Sequence, residues 1–160
     1  MPTAVNILTW LEAVKDPEIP VLSLVDLGVI TDVVVNDDGV KIELTPTFVG
    51  CPALDMMKED IAQVLKEKGM PHVEVQVSFR KTWTSDNITE RGRQVLRDFG
   101  LAPPPHMRQI FTDLEILETA ACPRCGGTHT ELKNPFGPTL CRSIHYCLDC
   151  RDAFEQFKPL

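Results

Sequence analysis

Cationic side chains are scarce in this chain. Sixteen Lys and Arg stand against 23 Asp and Glu, a formal charge of −7 over 160 residues, whereas phosphate binding draws its affinity from clustered Lys and Arg. Nucleic acid is excluded as a main partner, and an aromatic content of 6% leaves few rings to stack on bases. Long apolar runs are missing too: none approaches the roughly 20 residues of a membrane-spanning helix. The N-terminal MPTAVNILTWLEAVKDPE lacks a basic stretch followed by a signal-type apolar segment. A cytoplasmic protein with no membrane partner is the expectation. Before residue 122 the only cysteine is Cys51, whereas Cys122, Cys125, Cys141, Cys147 and Cys150 crowd the C-terminal quarter. In a reducing compartment such crowding points to metal, not to disulfides.

What remains is a globular composition, 43% hydrophobic and 24% charged, with room for a domain of about 100 residues plus a small module. Residues 1–118 carry 11 basic and 19 acidic side chains, a net of −8, while 119–160 carry 5 and 4, a net of +1. This asymmetry supports two modules. Apolar residues at helical spacing predict a first helix over 4–14 with Thr3 as N-cap, stopped at Asp16-Pro17. The segment DPEIPVLSLVDLG reads as an ordered loop; its Asp16, Glu18 and Asp26 suit turn and cap formation as well as a functional role. β-Branched runs at 29–35 and 40–45 around Asn36-Asp37-Asp38-Gly39 predict a hairpin.

Pro52 is expected to open a helix running to about Lys68, closed by Gly69, with Cys51 at its N-cap. Leu54, Met57, Ile61, Val64 and Leu65 form its apolar stripe, and the pair Met56/Met57 reads as core. A thiol at the positive end of a helix is favoured as thiolate. The competing reading is a small buried core cysteine. HVEVQVSF alternates as a half-buried strand through Phe79, a helix is expected over 89–99 before Gly100, Ala102-Pro103-Pro104-Pro105 reads as an extended spacer, and Ile110, Leu114 and Leu117 favour a short helix within 107–118. The order α-β-β-α-β gives an α+β fold, a small mixed sheet with helices on one face, followed by a C-terminal zinc-ribbon module. The expected partition is 1–102, a linker at 103–118, and 119–160.

The ribbon rests on CPRC at 122–125 and CLDC at 147–150. Two residues between cysteines let a tight turn aim both sulfurs at one ion, so Cys122, Cys125, Cys147 and Cys150 form a four-thiolate tetrahedral site. On ligand chemistry alone zinc, a single iron or an iron–sulfur cluster would suit; closed four-thiolate ribbons most often hold structural zinc, which comes first. Cys141, His129 and His145 are expected to pack or hydrogen-bond around the site.

DPEIPVLSLVDLGVI, LTPTFVGCPALD and CPRCGGTHTELKNPFGPTLC…CLDCRDAF, in that order, resemble the PaaD (PaaJ) branch of the iron–sulfur assembly factors, phenylacetate-degradation proteins encoded with the ring-1,2-phenylacetyl-CoA epoxidase. The broader family covers residues 10–85. The resemblance implies a non-enzymatic accessory role: maturing that multicomponent oxygenase by iron or cluster delivery, or serving as its non-catalytic subunit. Epoxidase components or their iron–sulfur reductase are the implied partners. It marks Cys51 as the functional thiol and a ligand to a labile cluster or iron, with Asp16, Glu18, Asp26, Gly28, Thr45 and Thr47 in support. One cysteine cannot complete a cluster's protein ligands, and a homodimer is one way to complete the set.

Overall fold

The computed structural model describes residues 1–112 and 118–160. The chain divides into two compact units, residues 1–83 with 87–89, and residues 84–86 with 90–160.

In the first unit Thr3 starts helix α1 (Ala4–Leu11) with a reciprocal capping box: its Oγ1 accepts the Asn6 N–H at 3.3 Å, and Asn6 Oδ1 accepts the Thr3 N–H at 2.9 Å. The helix is three residues shorter than expected, because the chain tightens into a turn after Leu11, where Val14 N–H meets the Leu11 carbonyl at 3.0 Å. The expected irregular loop contains a one-turn helix α2 (Leu24–Leu27). Ser23 Oγ accepts the Asp26 N–H at 3.0 Å, and the buried Leu24 and Leu27 anchor the turn.

Strands β1 (Ile30–Asn36) and β2 (Gly39–Leu44) form the hairpin, antiparallel from Asn36–Gly39 back to Ile30–Leu44. Helix α3 (Leu54–Glu67) carries the chain across to β3 (Val73–Val77), which pairs parallel to β2 and completes the order β1-β2-β3. α1 packs on α3 and β1, and α3 on β3. Between them Ile7, Leu11, Ile42, Leu44, Ile61 and Leu65 are fully buried, each contributing about 1.5–3 kcal/mol. Met57 joins this core but Met56 is 55% exposed, since adjacent helical residues point about 100° apart. Phe79, expected inward, follows the end of β3 and is 57% exposed.

The second unit holds α4 (Glu90–Phe99), β4 (Leu101–Ala102) and α5 (Met107–Thr112), then β5 (Thr130–Asn134), β6 (Arg142–Cys147) and β7 (Ala153–Phe157). Its mixed sheet runs β4-β7-β6-β5, with β4 parallel to β7 and the other pairs antiparallel. Ala102 is therefore a buried strand residue, not part of a spacer. Ile110 lies in α5; Leu114 and Leu117 lie outside the described residues. Among the described residues no helix is long and apolar enough to cross a membrane.

Gly28 closes α2 at φ 75°, and a Cβ there would stand 2.2 Å from the Asn87 carbonyl oxygen, a backbone atom. Gly28→Ala combines left-handed strain with that clash. It is expected to destabilise the first unit by roughly 2–4 kcal/mol, read by urea denaturation against wild type.

Candidate functional site

Cys51 sits on the loop between β2 and α3. Gly50, at φ 82°, reverses the chain, and residues 52–53 form a turn, so α3 begins at Leu54 with Ala53 as its cap and no side-chain capping bond. The expected N-cap role of Cys51 is thus corrected: it precedes the first helical residue by three positions, and its carbonyl accepts the Leu54 N–H at 3.4 Å. The expected thiolate is corrected with it. Burial of the half-exposed side chain raises the Cys51 pKa, and the negative charges of Glu18 and Asp16 add to the rise; the Ala53 N–H opposes them.

The fold thus brings Asp16 and Glu18 close enough to Cys51 for their charges to be felt, across 33 residues of sequence for Glu18. Their environments differ. Asp16 is 8% exposed, and its Oδ1 accepts the N–H groups of Glu18 at 2.9 Å and Ile19 at 2.8 Å, which fixes the loop. Glu18 is exposed. Asp26 is bound inward: Oδ2 accepts the Ser23 hydroxyl at 2.9 Å and Oδ1 the Thr89 hydroxyl at 2.7 Å. Thr45, 1% exposed, shares a hydroxyl hydrogen bond of 2.9 Å with Thr31, the extra residue at the irregularity in the β1–β2 register. Thr47 is half-buried. Thr31 and the Ala53 N–H escaped the sequence reading, the first because a bulge leaves no composition signal and the second because any non-proline residue there supplies an N–H.

In the ribbon the sulfurs of Cys122, Cys125, Cys147 and Cys150 lie within 4.8 Å of one another, with Cys122–Cys150 at 3.7 Å and Cys125–Cys147 at 3.6 Å. A tetrahedron with metal–sulfur bonds of about 2.3 Å has edges of about 3.8 Å. The set therefore fits one ion, and zinc suits four thiolates at this spacing. A cluster would place several iron and sulfide atoms between the thiolates and hold them wider apart. Bound zinc would supply folding free energy to this small module. Cys141 and His145 are buried, His145 stacking on Phe154 with ring centroids 5.5 Å apart, and the exposed His129 pairs with Asp149 at 3.5 Å. Among the described residues the candidate metal group contains only the four cysteines.

Two matching loops hold the sulfurs. Cys122 N–H donates to the Gly127 carbonyl and Cys147 N–H to the Asp152 carbonyl, both at 2.9 Å. Backbone N–H groups of Cys150 and then Asp149 face the Cys147 sulfur and, with neighbouring thiols, hold its pKa down to about 7. The fourth residue after the leading cysteine is left-handed in each loop, Gly126 at φ 74° and Arg151 at φ 60°. Ala102, Ala120 and Phe154 pack around Cys122 and Cys147 from the sheet side.

Two outcomes follow from this geometry. Arg151→Gly should stabilise the zinc-loaded ribbon by up to about 1 kcal/mol and Gly126→Ala destabilise it by a similar amount, measured by thermal unfolding at fixed zinc. Alkylation of Cys51, followed by peptide mass spectrometry, should show a pH midpoint above that of free cysteine, moving down in Glu18→Gln. A raised folded-state pKa contributes stability below the ordinary thiol value that is lost as pH rises through the folded one. Cys51→Ser should therefore reduce the alkaline loss of stability in the first unit.

Comparison with known proteins agrees with both halves. Residues 5–79 match the iron-sulfur cluster assembly protein family, and residues 109–158 match the PaaD zinc beta ribbon domain. The chain is 35% identical over 158 residues, 98% of its length and 93% of the relative's, to an Escherichia coli (strain K12) protein named as one subunit of a "putative 1,2-phenylacetyl-CoA epoxidase". It is 38% identical over 90 residues, 55% of this chain and 85% of the relative's, to the Fe-S protein maturation auxiliary factor of Porphyromonas gingivalis. The crystal structure of a domain of unknown function, DUF59, from Bacillus anthracis superposes with a TM-score of 0.54 at 27% identity, covering 57% of this chain and 89% of that one. The chain therefore belongs to the PaaD family, which joins an iron–sulfur cluster assembly domain to a zinc beta ribbon.

Proposed function

We propose that this protein is an accessory factor of phenylacetyl-CoA epoxidation that matures the multicomponent oxygenase, delivering iron or an iron–sulfur cluster through Cys51. The observation that carries the reading is that Cys51 lies within electrostatic reach of Asp16 and Glu18, on two loops of the first unit, in a chain related to Fe–S maturation factors. A thiol whose pKa is raised stays protonated at neutral pH, so ligation to an incoming iron must break the S–H bond as the S–Fe bond forms. That suits transient holding: the proton competes with the metal, and reprotonation favours release to a recipient. The two carboxylates set a negative field around the thiol that would draw an incoming iron cation toward it. The ribbon cysteines form a separate, closed site for a retained ion.

A second reading, a stoichiometric non-catalytic subunit, is favoured by the name of the Escherichia coli relative. The two diverge once the enzyme is made: a maturation factor is dispensable after the other components are metallated, whereas a subunit is still required. The delivery reading predicts that anaerobically reconstituted Cys51→Ala loses its labile iron and sulfide but keeps ribbon zinc. Iron and sulfide analysis beside zinc analysis reads both, and iron content equal to wild type would sink it.

A further inference from the structure

The second unit contains a cleft of about 300 Å³ whose lining includes Glu90, Arg93 and Arg97 from α4, Pro104, Ala120 and Gln156. Residues 90, 93 and 97 fall on one face of that helix by their three- and four-residue spacing. Arg93 is 4% exposed. Its Nη1 donates to the Pro104 carbonyl and its Nη2 to the Ser85 carbonyl, the latter at 2.9 Å. Its Nε is buried and has no hydrogen-bond partner among the described residues. Buried donors are almost always satisfied, so an orphan one points to a missing acceptor.

The carboxylates at hand do not meet it. Glu90 Oε1 stands 3.9 Å from Arg93 Nε, beyond hydrogen-bond reach, and its side chain is 78% exposed. Asp86 Oδ1 lies 3.9 Å from Arg93 Nη2 and is engaged by the Met107 N–H at 3.0 Å. His106 faces both acids, Nδ1 to Asp86 at 3.4 Å and Nε2 to Glu90 at 3.6 Å. Glu90 thus rests over the arginine as a loose counter-ion at the rim. Arg97, exposed and hydrogen-bonded within α4 to Gln94 at 3.1 Å, brings a second guanidinium to the same rim. Proline and alanine form the apolar wall.

We propose that this cleft binds a small oxyanion, a carboxylate or phosphate, that displaces the Glu90 side chain, accepts the Arg93 Nε–H and pairs with Arg97. Guanidinium groups recognise the two oxyanions through the same planar donor geometry. The apolar wall then grades them by their non-polar part.

The full zinc-loaded chain is titrated with acetate, butyrate and inorganic phosphate while the Arg93 Nε–Hε signal, assigned through bonds, is followed by NMR. A saturable shift of that signal is expected. Arg97→Gln should weaken the binding roughly tenfold and Glu90→Gln should tighten it several-fold. Both positions are exposed, so neither change threatens the fold. Butyrate binding more tightly than acetate and phosphate assigns an apolar carboxylate, and phosphate binding most tightly assigns a phosphoryl group. Absence of a saturable shift with all three probes overturns the site, as does a shift whose midpoint is unchanged in Arg97→Gln.

Discussion

The first unit depends on a buried carboxylate. Asp26, 6% exposed, gathers the hydroxyls of Ser23 and Thr89 on its two oxygens, and its carbonyl accepts the Thr89 N–H at 2.9 Å. A buried charge is tolerable only when such donors surround it. Through them Asp26 ties the loop after α1 to residues 87–89, which also explains the close approach of Asn87 to Gly28. The Trp83 indole N–H, donating to the Leu27 carbonyl at 3.0 Å, adds a third strap. With that loop fixed, Asp16 and Glu18 stay within electrostatic reach of the Cys51 thiol.

Cys147 and Cys51 differ in what surrounds the sulfur. Cys147 is faced by backbone N–H groups of its own loop, which stabilise the thiolate, the form that ligates a metal. Cys51 has the Ala53 N–H set against burial and two carboxylates. Cys147 and Cys51 thus lean opposite ways without any difference in residue type, while burial among the neighbouring thiols pushes Cys150 up to about 12.

Much of this was legible where short-range chemistry decides. Thr3 as cap, the Asn36–Gly39 hairpin, Gly69 and Gly100 as helix ends, and the paired CxxC loops all follow from contacts a few residues apart. α3 starts two residues later than Pro52 suggests, because proline suits either the first turn of a helix or the turn before it, and Gly50 selects the latter. α2 was hidden because its single turn is stabilised by tertiary burial of Leu24 and Leu27 more than by propensity. The strand at Leu101–Ala102 is too short to carry a periodic signal. The environment of Cys51 was half legible: motif order brought the acids to it, but the sign of their combined effect with burial required coordinates.

The parallel pairing of Leu101 and Ala102 with Glu155 and Gln156 gives the second unit a nested topology. Metal ligation between Cys122 and Cys150 would close an inner loop, and β4 closes an outer one around it. Since loop closure costs entropy that grows with length, the inner closure is the cheaper and prepares the landing edge of β7 for the outer. With the inner loop closed, the outer closure would span a shorter free length and cost correspondingly less entropy.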